Sequence, residues 1–294
     1  MKSDQLGANT SCLHSLPLPE AVKRIRDLGF HGITLLAFAG TRHGFGDLAG
    51  FWFRDLSHSE RDRLKRLVSS FKRLAIHAPF FDLPLVSNDP KVEQLAMERM
   101  RESIEATAYL GGQVAIIHAN RRPNYHLGEY WDSLVSAFRS LGDYAAERRV
   151  AVGLETGFPD GVEKFVDLIE AIGHPAVGAT LDTGHMARYV ERNLKGTPKG
   201  ARQLNERLME VVRQLGWMTI HCQLHDVVIP QWADHHAIGH GVIDFQPFLM
   251  ELEAIGYEGM LEFELEERDG VGALVESKTR IETLMSRKVA RPLL

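Results

Sequence analysis

The sequence predicts an α/β chain folded as a single (β/α)8 barrel over residues 1–294, and three observations carry that prediction. First, six apolar runs each stop on a polar side chain: Leu74–His77, Ala115–His118, Val152–Glu155, Ala179–Asp182, Ile220–Gln223 and Leu261–Glu264. Second, most neighbouring runs are separated by a stretch long enough for a helix, and several of those stretches end on glycine, the residue that tolerates a left-handed helix stop. Third, 294 residues with 44% hydrophobic content suit one large core with no linker or low-complexity break. Strands that alternate with helices imply a parallel sheet, and closure into a barrel buries it most simply. An open doubly wound sheet is the alternative, but no GxGxxG follows the first strand and no P-loop is present.

Taken in order, a first strand falls near residues 5–11, a helix runs from Pro17–Glu20 to Leu28, and His31–Phe38 is the second strand. The loop from Ala39 to Leu56, with Gly44, Phe45, Phe51, Trp52 and Phe53, reads as a lid or pocket wall. Ser57-His-Ser-Glu60 is a capping-type start for a helix to about Lys72, before a third strand over Leu74–Phe80 and a helix over Pro90–Leu110. Strand four is Val114–Ala119, followed by a helix from about Tyr130 to Arg149; strand five is Val150–Thr156, with a helix over Val162–Ile172. Strand six, Val177–Asp182, leads to a helix from about Ala201 to Leu215, and strand seven, Met218–Leu224, to a His-rich loop over 226–241. A helix over Phe245–Ile255, strand eight at Gly259–Leu265 and a terminal helix from about Gly272 to Arg287 complete the set. Tyr125, Tyr130 and Trp131 join Phe51 and Trp52 as pocket-shaping candidates.

Composition narrows the function. The balance of 34 Lys+Arg against 39 Asp+Glu, a formal charge of −5, offers no general attraction for a polyanion, so nucleic acid is not an expected partner. Cys12 and Cys222 are far apart and outside any CxxC pattern, which argues against a disulfide framework or thiolate metal site. No apolar signal core opens the chain, and no stretch approaches the ~20 apolar residues of a membrane span. The expectation is a soluble cytoplasmic enzyme with a small-molecule carbohydrate substrate, no membrane partner, and homo-oligomerisation left open.

The barrel geometry places the chemistry at the C-terminal ends of the strands. Glu155, Asp182 and Glu264 each follow residues that should be buried, and one divalent ion would offset the desolvation of all three carboxylates together. Gln223 adds a neutral oxygen. Such hard ligands suit Mg2+ or Mn2+, and nearby imidazoles admit Co2+ or Zn2+. Strand periodicity leaves a choice of level, since His221, Gln223 and His225 share one face, as do Glu262, Glu264 and Glu266. Two glutamates on opposite sides of a small hydroxy-carbonyl compound can remove and return a proton through a metal-stabilised enediolate, and Glu155 and Glu264 are the expected acid/base pair. His77, His118, His185, His225 and His235 are the expected substrate contacts. A buried backbone partner is the alternative for His77 and His118, open solvent for His225, and His221 reads as a core residue.

The segments His77-Ala-Pro-Phe80, Leu154-Glu-Thr-Gly157, Leu181-Asp-Thr-Gly-His185, Leu224-His-Asp226, His236–Asp244 and Gly256–Glu264 together resemble the xylose isomerase-like TIM-barrel superfamily over nearly the whole chain. That resemblance implies one metal held by Glu155, Asp182, Gln223 and Glu264, and selects these levels of the last two strands. Gln223 stands where many members carry histidine, a departure similar to the hydroxypyruvate isomerase branch. The implied activity is isomerisation or epimerisation of a keto sugar, sugar phosphate or hydroxy-keto acid. A dehydratase of the inosose or dehydroshikimate type is the near alternative. An AP endonuclease-like zinc phosphodiesterase is the distant one, for which His77 and His118 fit while Ala233-Asp-His235 departs from the Asp-x-His pair of a third zinc.

Overall fold

Eight parallel strands close on themselves in chain order in the computed structural model, which describes residues 1–42, 46–122 and 124–286. Gly44, Phe45 and Arg287 lie outside the described residues. The strands are β1 (Leu6–Asn9), β2 (Gly32–Leu36), β3 (Arg73–His77), β4 (Val114–His118), β5 (Ala151–Glu155), β6 (Val177–Asp182), β7 (Thr219–Leu224) and β8 (Leu261–Phe263), and β8 pairs with β1 through Leu6 and Leu261. The surrounding helices are α1 (Leu18–Asp27), α2 (His58–Val68), α3 (Pro90–Leu110), α4 (Trp131–Ala146), α5 (Val162–Ile172), α6 (Pro198–Leu215), α7 (Phe245–Ala254) and α8 (Gly270–Ser286).

Helix starts and stops follow local chemistry. Asp89 accepts from the Lys91 amide ahead of Pro90, and Gly111 ends α3 at φ 84. Ser57 and Glu60 form the expected capping box, yet α2 ends at Val68, short of the expected Lys72. α6 starts earlier than Ala201 because Thr197 caps it, accepting from the Gly200 amide, and Pro198 suits a first turn that needs no N–H. The strands end earlier than read, at His77, Glu155 and Phe263, although the Ala78, Thr156 and Glu264 amides still donate to the Ile116, Thr180 and Leu224 carbonyls of the neighbouring strands.

Alternate strand residues split the core in two. Those facing outward, such as Ile33, Leu35, Ile76 and Ile117, pack with Ile25, Ile104, Phe138, Phe165, Leu208 and Phe248 from the helices, all fully buried. Each such side chain contributes about 1.5–3 kcal/mol relative to exposure. Those facing inward make a small apolar cluster of Ala75, Val114, Ile116 and Met260 near the strands' N-terminal ends. Gly7 and Gly32 leave room for Met260, whose sulfur lies 2.3 and 2.2 Å from where their Cβ atoms would be. Two residues further along each strand, the inward positions become polar.

Two loops differ from expectation. The 39–56 segment carries a two-stranded pair, Thr41–Arg42 with Gly46–Asp47, and a short turn at Phe53–Asp55. Leu48 of this segment lines the mouth as expected of a pocket wall, but Phe51 and Phe53 join the main core and Trp52 lies under Arg99, so none of these three aromatics does. Tyr125 packs on Arg122 and Tyr130 is buried in the core, so these aromatics do not form its wall either. The 226–241 segment is partly a hairpin, Asp226–Val228 with Ala233–His236. Asp226 organises it by accepting four backbone N–H groups, from Val227, Gly239, Gly241 and Ile243. Among the described residues no helix is long and apolar enough to cross a membrane.

Candidate active site

A cavity of about 210 Å3 opens at the C-terminal end of the barrel, and His77, His118, Glu155, His185, His235 and Glu264 line it. Register explains the convergence: His118 pairs with Glu155, and Asp182 with Gln223, so residues ending adjacent strands arrive at one level. Phe38, Phe80 and Phe81 supply an apolar wall, with Phe80 stacked on His118 at 4.7 Å between centroids.

Glu155 is the hub. Its Oε1 lies 2.9 Å from His185 Nδ1, and its Oε2 lies 3.3 and 3.0 Å from Nε2 of His77 and His118. His77 Nδ1 donates to the Ala78 carbonyl at 2.8 Å, so in the neutral ring Nε2 carries a lone pair. That lone pair faces the carboxylate and, at 3.3 Å, His118 Nε2. Acceptors converge this way stably only when a proton or a cation lies among them. Burial works against the charged ring, but Glu155 reverses this and raises the His77 pKa. His118 goes the other way, its pKa lowered chiefly by burial.

Asp182 is fully buried. It accepts from the His185 amide at 2.7 Å and from His225 Nε2 at 2.9 Å. Burial pushes its carboxyl up, but His185 and His225 outweigh that and hold it at about 2. Gln223 donates through Nε2 to Glu264 at 2.5 Å. Both Gln223 Oε1 and Glu155 Oε2 are buried acceptors without a hydrogen bond of acceptable geometry. A divalent cation would satisfy two such acceptors beside buried carboxylates, so the donor set fits one. Potential ligand atoms converge in three groups: His77, His118 and Glu155; Glu155, Asp182 and His185; and Asp182, His225 and His235.

The two candidate acid/base carboxyls are shifted in opposite directions. Burial raises the Glu155 carboxyl, yet His118, His185 and His77 overcome this and hold it well below the usual carboxylate range. Glu264 is pushed well above that range, by burial first and then by Glu262, Glu155, Asp182 and Glu266.

His225 is engaged inside the protein on both ring nitrogens. Its ring is fully buried, with Nε2 on Asp182 and Nδ1 accepting from the His235 amide at 2.7 Å, so it orients Asp182 and is not among the residues that line the cavity. His235 lies on the cavity wall, stacked on His225 at 4.1 Å. His236 and His240 pair separately with Glu267 and Glu276 and form no cluster with it. Sequence reasoning missed Asn9, Thr34 and Glu262, which join His221 in a buried network under the site: Glu262 accepts from Asn9, Thr34 and His221 at 2.8, 2.6 and 2.5 Å. The signal was present in the alternation Glu262, Glu264, which puts both side chains inside. Arg188, which also lines the cavity, was missed because it stands on an irregular turn.

A family model described as xylose isomerase-like TIM barrel matches residues 22–286. Curated relatives include "Uncharacterized protein MJ1311" of Methanocaldococcus jannaschii, 28% identical over 74% of this chain and 72% of that protein. Another is a "Probable endonuclease 4" of Mesomycoplasma hyopneumoniae, 26% identical over 59% of this chain and 62% of that one. Among solved structures, a D-tagatose 3-epimerase-like protein superposes with a TM-score of 0.73 at 22% identity, covering 95% of this chain and 98% of its own. An IolI protein with a bound zinc atom gives a TM-score of 0.73 at 18% identity, with 97% and 99% covered. These structural likenesses establish the fold.

Proposed function

Because the chain belongs to the xylose isomerase-like TIM-barrel family, we propose that it is a divalent-metal-dependent isomerase or epimerase of a small hydroxy-carbonyl compound, with Glu155 and Glu264 moving the proton. The observation that carries this reading is the convergence of Glu155 and Glu264 on one cavity, beside the buried acceptors Gln223 Oε1 and Glu155 Oε2 that a cation would serve.

Glu155, Asp182, Gln223 and Glu264 would hold the ion, Mn2+, Mg2+, Co2+ or Zn2+. When bound, it supplies a Lewis acid that acidifies the C–H beside a carbonyl and stabilises the enediolate charge. The protein's own groups do the rest. Glu155 accepts the proton from carbon on one side of the substrate, and Glu264 delivers one from the other. His185 is fixed by its Nδ1, which donates to the Thr156 carbonyl at 3.1 Å and faces Glu155, leaving Nε2 to bond a substrate oxygen. Phe38, Phe80 and Phe81 exclude water from the carbanionic carbon. Departure of a β-hydroxyl after the same first step would make the reaction a dehydration.

The test is exchange of the substrate's carbon-bound hydrogen with D2O, followed by NMR across ketoses, their phosphates and hydroxypyruvate. Exchange that is lost in Glu155→Gln and Glu264→Gln supports the reading; exchange with no substrate sinks it. The trio His77, His118 and Glu155 favours a second reading, a polynuclear zinc phosphodiesterase, because its ligand atoms lie 3.0 to 3.3 Å apart, about the spacing around one tetrahedral zinc.

A further inference from the structure

Arg188 stands exposed on the turn His185–Tyr189 after β6 and lines the same cavity as Glu155 and Glu264. It forms no ion pair or hydrogen bond among the described residues, although acidic side chains surround the cavity. Asp160, on the loop after β5, is already paired with Arg121. The guanidinium nevertheless has a defined seat. It lies on Gly157, two positions after Glu155, where a Cβ would come within 2.7 Å of Nη1, and Gly157 has φ +119, a conformation side chains rarely adopt. The Gly157 amide is itself held by the Tyr189 hydroxyl at 3.0 Å. Two further cations follow on the same loop, Arg192 and Lys195, and neither has a carboxylate partner among the described residues. Burial first, then Arg188 and Arg192, lower the Lys195 pKa, so the three sense one another.

A positive rim beside a pocket of carboxylates is a poor way to hold a neutral sugar. It is an effective way to hold an anion whose far end reaches the acid/base pair, since a guanidinium matches both carboxylate and phosphate oxygens. We propose that Arg188 binds an anionic group of the substrate, phosphate or carboxylate, so that the enzyme acts on an anionic hydroxy-carbonyl compound and not on a neutral ketose. The inference rests on the isomerase reading for the reaction, but the anion site stands on Arg188 and Gly157 alone.

The experiment is calorimetric titration of inorganic phosphate and of glycolate into the protein as purified with its metal, into Arg188→Gln, and into Glu264→Gln. The expected result is saturable binding of at least one anion, weakened about 10- to 100-fold in Arg188→Gln, as for loss of a charge-assisted hydrogen bond, and retained in Glu264→Gln. Preference for phosphate points to a sugar phosphate; preference for glycolate points to a hydroxy-keto acid. Binding of neither anion, or equal binding by Arg188→Gln, overturns the proposal. Anion binding intact in a protein that exchanges no substrate hydrogen would instead overturn the isomerase reading and leave the anion site standing.

Discussion

Asn9, at the end of β1, donates its side-chain amide to Glu264 at 3.2 Å and, from the same nitrogen, to Glu262 at 2.8 Å. Its orientation is fixed because its Oδ1 accepts the Ser11 amide at 3.0 Å. One amide therefore ties the proposed acid to a buried carboxylate one inward step below it. Asn9→Ala removes a donor from two carboxylates and should cost about 1–3 kcal/mol of stability. It should also lower kcat about tenfold with little change in KM, since Asn9 positions an acid and does not touch substrate. Steady-state kinetics and thermal melts of the variant check both; an unaltered kcat removes Asn9 from the machinery.

Glu264 makes a prediction about pH with a definite sign. Its folded pKa lies above its unfolded one, so the stability linked to it is complete below about pH 4.5 and is lost as pH rises toward the folded value. Metal-free Glu264→Gln should therefore melt higher than metal-free wild type at pH 7, with the gap closing toward pH 4. Melting curves at both values decide it, and a variant less stable at pH 7 contradicts the assignment.

The glycine of Asp182-Thr-Gly-His185 has a packing reason. A Cβ on Gly184 would lie 2.1 Å from Cε1 of His225, the ring that holds Asp182. Gly184→Ala should displace His225 and lower metal affinity about 10-fold or more, the usual cost of disturbing a group that orients a ligand. Competition with a chelating dye measures the loss, and unchanged affinity would mean His225 is dispensable.

Both thiols should be inert. Burial pushes Cys222 up to about 12 and raises Cys12 further, with Cys12 Sγ also accepting the Leu265 amide at 3.1 Å. A thiol reagent at pH 8 should find neither in the native chain and both after denaturation.

Much of the fold was legible because parallel strands are written as apolar runs and their ends carry the polar residues. α3, α5 and β6 match their expected bounds because a proline, a glycine or a run boundary marks each end. The level of Gln223 and Glu264 required a resemblance, since His221 and Glu262 share their faces. Periodicity alone could not separate the floor of the barrel from its mouth. The burial of His225 against Asp182 was not legible, because that partner lies 43 positions away, on the neighbouring strand. Arg188 and the aromatic wall of Phe38, Phe80 and Phe81 stand on turns, where no period reports which way a side chain points.

Elemental analysis of metal bound per chain, in wild type and Glu155→Gln, tests the proposed chemistry most directly. One Mn, Co, Mg or Zn per chain, lost in the variant, is the predicted result. Two or three zincs per chain would contradict the single-metal isomerase and favour the phosphodiesterase built on His77, His118 and Glu155.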